Sequence, residues 1–211
     1  MEKYSEKFIC TIYLVRHGQT EWNEKQITQG QSESNISRIG IDQAKTAGEL
    51  FKNIEFSAIY SSDLSMAYKT AGIIKLNRNL PVRKSKLLRG RSYGSFEGKH
   101  IDIYQNKFKA RLTDIEILPE REYWSLKIAP DVETDEELAT RVIKKIKSIS
   151  VAHSNSNVLI VTHGGCIKCL LMKLGYMKRK LFSQGPLKHG GYIKLLTDGE
   201  KISVEEVGED K

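Results

Sequence analysis

The sequence predicts one α/β domain with a mostly parallel sheet. Short apolar runs alternate with stretches of helical periodicity along the chain. A length of 211 residues suits one domain whose core needs no disulfide or metal. Two of the apolar runs end in a histidine followed by glycine, beyond the carboxyl end of a strand, where such sheets bind ligands.

Each element follows from its residues. Cys10–Val15 is a β-branched apolar run that stops at Arg16-His17-Gly18, so it reads as a buried first strand. From Ser37 to Phe51, Ile41, Ala44, Ala47, Gly48, Leu50 and Phe51 recur at helical spacing. Residues 57–62 read as a second strand. Asp63 stands where a helix would start, and residues 64–74 continue as that helix. Pro81-Val82 opens a short edge strand. Leu88–Lys99 holds three glycines and reads as an ordered loop. Ile101–Leu112 is expected to be helical, and residues 113–133, with Pro119 and Pro130, form an irregular excursion. Thr134-Asp135-Glu136-Glu137 is a capping box opening a helix to about Ser150. Asn157–Thr162 is a further apolar strand, running into His163-Gly164-Gly165. A helix follows and stops at Gly175. Strands near Tyr192–Leu196 and Ile202–Val207 end the pattern. The domain is expected to span 1–211.

Composition narrows the function. The net charge of +8 suits an anionic small substrate. The basic residues are spread along the chain, which reads as a solvated surface and not a nucleic-acid stripe. With 39% hydrophobic and 28% charged residues, the chain is globular and not disordered. No window reaches about 18 uninterrupted apolar residues, so no membrane contact is expected. The first ten residues lack a signal-peptide core, and a cytoplasmic protein is expected. Cys166 and Cys169 form a C-x-x-C, but only Cys10 remains and no histidine has finger spacing. Reduced, buried thiols are the expectation.

The two strand-end histidines carry the chemistry. If their strands are neighbours, His17 and His163 share one rim of the sheet. Arg16 supplies a cationic fork for phosphate oxygens. His163 can bind the same anion, Asn23 and Gln29 add neutral donors, and Gly30 can present its backbone N–H. This is an anion site containing a nucleophile, because a neutral imidazole can attack phosphorus and form a phosphohistidine.

Four segments then resemble the histidine phosphatase superfamily, in that family's order. LVRHGQTEWN (Leu14 to Asn23) is similar to its signature. YSSDLSMAYKTA (Tyr60 to Ala71), LRGRSYGSFEGK (Leu88 to Lys99) and VLIVTHGGCIKCLL (Val158 to Leu171) resemble its later blocks. The resemblance implies a three-layer α/β/α sandwich of the phosphoglycerate mutase-like kind. It implies that His17 becomes the phosphohistidine and that Arg16 and His163 bind the phosphoryl oxygens. Asn23, Gln29 and Gly30 would line the phosphate pocket, Arg91 would contact substrate, and the backbone at Gly164 and Gly165 would complete the pocket. No metal or cofactor is implied. The expected partner is a small phosphorylated substrate, and a homodimer is left open.

The resemblance also exposes two departures. The second block normally carries an arginine where this chain has Met66. The third block normally carries a proton-donating glutamate where it has Gly90. Gly164 does not replace that acid, although other branches place an aspartate there. A slow phosphatase is the leading expectation, with a weakly catalytic binding homologue and a mutase as the competing readings. Lys69 and Glu97 are the nearest candidate substitutes, and both are expected to be non-catalytic. Arg89 is expected to be structural. Tyr123 and Trp124 serve either as a lid or as a packing anchor. His189 is read as peripheral, and His100 and His153 as surface positions.

Overall fold

The computed structural model describes residues 9–109, 118–177 and 187–208. Six strands form one sheet: β1 (Cys10–Arg16), β2 (Ala58–Ser62), β3 (Val82–Ser85), β4 (Asn157–Thr162), β5 (Tyr192–Thr197) and β6 (Ile202–Gly208). Their order is β3-β2-β4-β1-β5-β6. The first four in that order run parallel, and β5 alone runs against them, between β1 and β6. The sheet is therefore mostly parallel, as the alternation of elements predicts.

Burial on both faces explains why β1, β2 and β4 read as continuous apolar runs. Successive side chains point to opposite faces of a strand. On one face Ile12, Leu14, Val158 and Ile160 join the helices α6 (Asp135–Ala152) and α7 (Gly164–Lys173) through Leu138, Val142, Ile167 and Leu170. On the other, Val15, Ile59, Leu159 and Val161 meet α2 (Arg38–Leu50) and α3 (Ser65–Ile74) through Ala47, Ala67, Ala71 and Ile74. These are the three layers of an α/β/α sandwich. A smaller cluster of Phe96, Tyr104, Ala129 and Val132 packs α4 (Ile101–Lys107) against the third-block loop.

Helix starts follow local capping chemistry. Thr134 and Glu137 form the expected capping box of α6. Ser37 caps α2 by accepting from the Gly40 N–H at 3.1 Å. The expected start at Asp63 is corrected. Helix α3 begins at Ser65, with Leu64 as its cap residue, and the Asp63 carboxylate instead accepts two bonds from Arg89 at 2.7 Å. A bidentate arginine partner is a stronger claim on a carboxylate than two orphan helix amides. The excursion near 113–133 is also not irregular throughout. It contains α5 (Glu120–Trp124), whose Tyr123 and Trp124 are buried in the main core. These two side chains anchor the segment, which excludes the lid reading. The part of the expected 101–112 helix beyond residue 109, and the excursion's first residues, lie outside the described residues.

All three cysteines are free and buried. Burial pushes the Cys166 and Cys169 thiols above their ordinary range, which disfavours the reactive thiolate. No described helix is long and apolar enough to cross a membrane.

Candidate active site

Strand register builds the site. In the β1–β4 pair Arg16 stands opposite Thr162, so His17 and His163 leave the sheet side by side. The His17 N–H donates to the Thr162 carbonyl at 2.9 Å and closes the pair. The two imidazole rings lie 4.9 Å apart in an edge-to-face arrangement. A cavity of about 450 Å³ opens beside them. Arg16, His17, Asn23, Gln29, Gly30, Gly90, Arg91, His163 and Gly165 all line it, so one site gathers most of the residues singled out in the sequence.

The chain orients these groups one by one. The Nδ1 of His17 lies 2.7 Å from the Gly18 carbonyl, so Nδ1 carries the proton and donates. The Nε2 lone pair is then the free one. Thr20 aims two amides. Its Oγ1 accepts from the Asn23 N–H and its own N–H donates to Asn23 Oδ1, a capping box at the start of α1 (Glu21–Glu24). The same hydroxyl donates to Gln29 Oε1 at 2.8 Å, which turns the Gln29 NH₂ the other way. Gly30 follows with φ +59°, and a Cβ there would stand 2.2 Å from Glu97 Oε1. Glycine is required by both the backbone and the contact.

Three buried nitrogens in this site, Arg16 Nε, Gln29 Nε2 and His163 Nε2, have no hydrogen-bond partner among the described residues. An unsatisfied buried polar atom costs about 1–3 kcal/mol. Three around one cavity are the mark of a place prepared for an acceptor. The N-terminus of α7 opens at the same point: His163 is its cap residue and Gly165 lines the cavity. Gly164 does not line it. A Cβ on Gly164 would stand 3.0 Å from Arg16 Nε, so this glycine makes room for the arginine.

Burial sets the electrostatics. Desolvation lowers the His17 pKa from 6.5 to about 4, with Arg16 adding to the shift. His163 is held well below its ordinary value by burial first, and then by His17, Arg141 and Arg16. Both imidazoles are neutral at pH 7. Burial lowers Arg16 to about 10, which leaves it cationic.

The two departures occupy different environments. Gly90 lines the cavity, and a Cβ on it would stand 3.3 Å from His163 Cγ and 3.1 Å from the Gly30 carbonyl. Met66 is fully buried and does not line the cavity. It lies beneath the signature loop, where the Thr70 hydroxyl donates to the Met66 carbonyl and accepts from the Gly18 N–H. Lys69 is exposed. Glu97 accepts from the N–H groups of Gln31 and Tyr93 and from the Ser32 hydroxyl, so it braces the loop. Arg89 is structural, paired with Asp63. Arg91 lines the cavity but its guanidinium is already engaged by Asp135 and by the Glu133 carbonyl.

Sequence reasoning missed two residues. His189 is not peripheral: its Nε2 accepts from Arg16 Nη2 at 2.9 Å, and its ring centroid is 5.7 Å from that of His17. Burial, then Arg16 and His17, keep it neutral. The available signal was the Gly190-Gly191 pair before a strand, but only the antiparallel β1–β5 pairing brings that strand's start to this rim. Arg141, on α6, chelates Glu133 and donates to the carbonyls of Leu87, Arg89 and Gly90. It fixes the backbone of the third block.

Comparison with known proteins agrees with this geometry. The chain is 32% identical over 166 residues to "Uncharacterized phosphatase PhoE" of Bacillus subtilis, covering 79% of this chain and 78% of the relative. It is 33% identical over 168 residues to "Probable phosphoglycerate mutase GpmB" of Citrobacter koseri, covering 76% and 72%. The solved structure of Bacillus stearothermophilus YhfR superposes with a TM-score of 0.78 at 27% identity, covering 92% of this chain and 95% of that one. The family model for branch 1 of the histidine phosphatase superfamily matches residues 12–210, and the chain belongs to that family.

Proposed function

We propose that this protein is a phosphatase that hydrolyses a small phosphate monoester through a phosphohistidine on His17. The observation that carries the reading is the pairing of a free His17 Nε2 lone pair with three unpartnered buried nitrogens of residues that line one cavity. The Nε2 lone pair attacks phosphorus, the Nε2–P bond forms and the ester P–O bond breaks. Water then attacks the phosphohistidine, releasing inorganic phosphate and restoring the imidazole. Arg16 Nε, Gln29 Nε2 and His163 Nε2 hold the phosphoryl oxygens as their charge shifts. Arg91, already neutralised by Asp135, contributes cavity wall and not a second anion fork.

The mutase reading is kept because several relatives carry a mutase name. It requires the phosphoryl group to pass from His17 to a second alcohol instead of to water. Hydrolysis of p-nitrophenyl phosphate across pH 5 to 8, with His17→Ala as control, tests the phosphatase reading. Rapid quenching should trap an acid-labile phosphoprotein in the wild type and none in the variant. Turnover that survives His17→Ala would overturn it, and phosphoryl transfer to an added alcohol acid in preference to water would favour the mutase.

A further inference from the structure

We propose that the site is specific for phosphate esters of acidic, phenol-type alcohols, whose leaving oxygen departs without being protonated by the enzyme. The inference rests on the phosphohistidine reading and names the substrate class for it.

The first support is the absence of an acid. Among the described residues lining the cavity there is no aspartate or glutamate. The nearby carboxylates accept hydrogen bonds elsewhere: Glu97 from the loop amides and Ser32, Asp135 from Arg91, Glu133 from Arg141, and Asp63 from Arg89. The position facing the His163 ring is Gly90, which carries no proton. Both histidines are neutral, and burial pushes the Tyr104 phenol up to about 12, so neither kind of group is a ready acid. A positioned general acid contributes about 10²–10⁴ in rate. An alkoxide leaving group, with a conjugate acid near that of water at about 15.7, needs that help. A phenolate, near about 10, needs it far less.

The second support is the aromatic and aliphatic part of the cavity lining: Ile27, Tyr93, Ile101 and Tyr104, beside the polar Thr28 and Gln105. Tyr93 and Tyr104 pack edge to face at 5.2 Å, and Tyr104 is backed by Phe96 and Phe108. Aromatic edges and isoleucine side chains suit a ring.

In the reaction, the His17 Nε2–P bond forms as the P–O(aryl) bond breaks. The phenolate leaves with the bonding pair and takes its proton from solvent. Water then supplies the oxygen that replaces Nε2 on phosphorus, and its proton goes to solvent.

The test is a leaving-group series on the intact protein: p-nitrophenyl, phenyl, acetyl and glycerol phosphates. We expect kcat/KM to fall at least about 10³-fold from phenyl to glycerol phosphate. Gly90→Glu should raise the glycerol phosphate rate about 10²-fold relative to the p-nitrophenyl phosphate rate. Gly90→Gln, which fills the same space without an acid, should not. Ile101→Ala should raise KM for phenyl phosphate more than KM for acetyl phosphate, which has an acidic leaving group but no ring. Phenyl and glycerol phosphates turned over within tenfold of each other by the wild type would overturn the proposal, since a donor would then be present. An unchanged phenyl phosphate KM in Ile101→Ala would overturn its aromatic part. Failure to turn over any member of the series, or turnover indifferent to His17→Ala, would instead remove the phosphohistidine reading beneath it.

Discussion

The His17 and His163 rings stand 4.9 Å apart because Arg16 and Thr162 are register partners on neighbouring parallel strands. The two rings therefore line one cavity side by side. With His17 as nucleophile, His163 Nε2 is a donor to the phosphoryl oxygens and should be replaceable at a cost. His163→Ala should lower kcat about 10²–10³-fold, the usual loss for one donor to the transition state. It should leave a trappable phosphoprotein, because the nucleophile remains. Steady-state kinetics with a quench assay separate the roles; loss of the phosphoprotein in His163→Ala and its retention in His17→Ala would reverse the assignment.

Burial of neutral histidines makes stability depend on pH. The His17 pKa is about 4 in the fold against 6.5 for an unperturbed side chain. Below 6.5 the unfolded chain takes up a proton that the folded site refuses, so stability falls as pH drops from 6.5 towards 4. Between pH 7.5 and pH 5 His17 alone should account for about 2 kcal/mol. His163 and His189 shift in the same direction and add to the loss. Urea denaturation at the two pH values, on wild type and His17→Asn, measures the term. The variant should lose less, and equal losses in both proteins would place the pH dependence elsewhere.

The legible part of this site was the part set by strand ends. A histidine after an apolar run marks the carboxyl edge of a parallel strand whatever the rest of the chain does, and both His17 and His163 stand at such an edge. His189 has no such signature, because its place depends on β5 reversing direction beside β1. Arg141 lies on a helix with three lysines, Lys144, Lys145 and Lys147, and reads as one more solvated cation until Glu133 folds over it. Asp63 shows the opposite error. Its residue type favours a helix cap, but Arg89 lies 26 positions away and local reading cannot see it. Thr20 and Asn23 cap a helix of four residues, too short to show periodicity.

Arg141 should matter more than its position on α6 suggests. Its side chain is 16% exposed and Glu133 is 12% exposed, and the same guanidinium reaches three carbonyls of the third block. Removing one partner leaves a buried carboxylate and three carbonyls short of donors. Arg141→Met should cost about 3 kcal/mol in chemical denaturation. Arg141→Lys should recover little, since a single ammonium cannot span the carboxylate fork and the carbonyls together. Substantial recovery by lysine would mean that charge alone, and not the planar fork, holds the loop.

Two glycines separate close approach from open helix. A Cβ on Gly18 would stand 2.3 Å from the Gly40 carbonyl oxygen and 2.8 Å from its carbon, and both are backbone atoms of α2's first turn that cannot swing aside. The glycine after His17 thus serves packing against α2. Gly18→Ala must push the signature loop off α2, at about 3 kcal/mol, and displace the carbonyl that fixes the His17 tautomer. Gly72, inside α3, has nothing within 4 Å of its missing Cβ. Gly72→Ala should stabilise the protein by about 0.5–1 kcal/mol, the ordinary gain for alanine in a helix. Thermal and urea unfolding of the pair, beside p-nitrophenyl phosphate turnover, give the reading. Gly18→Ala should lose stability and activity together while Gly72→Ala gains the first and keeps the second. A Gly18→Ala protein with wild-type turnover would show that the loop can shift without moving His17, and that the Gly18 carbonyl does not set its tautomer.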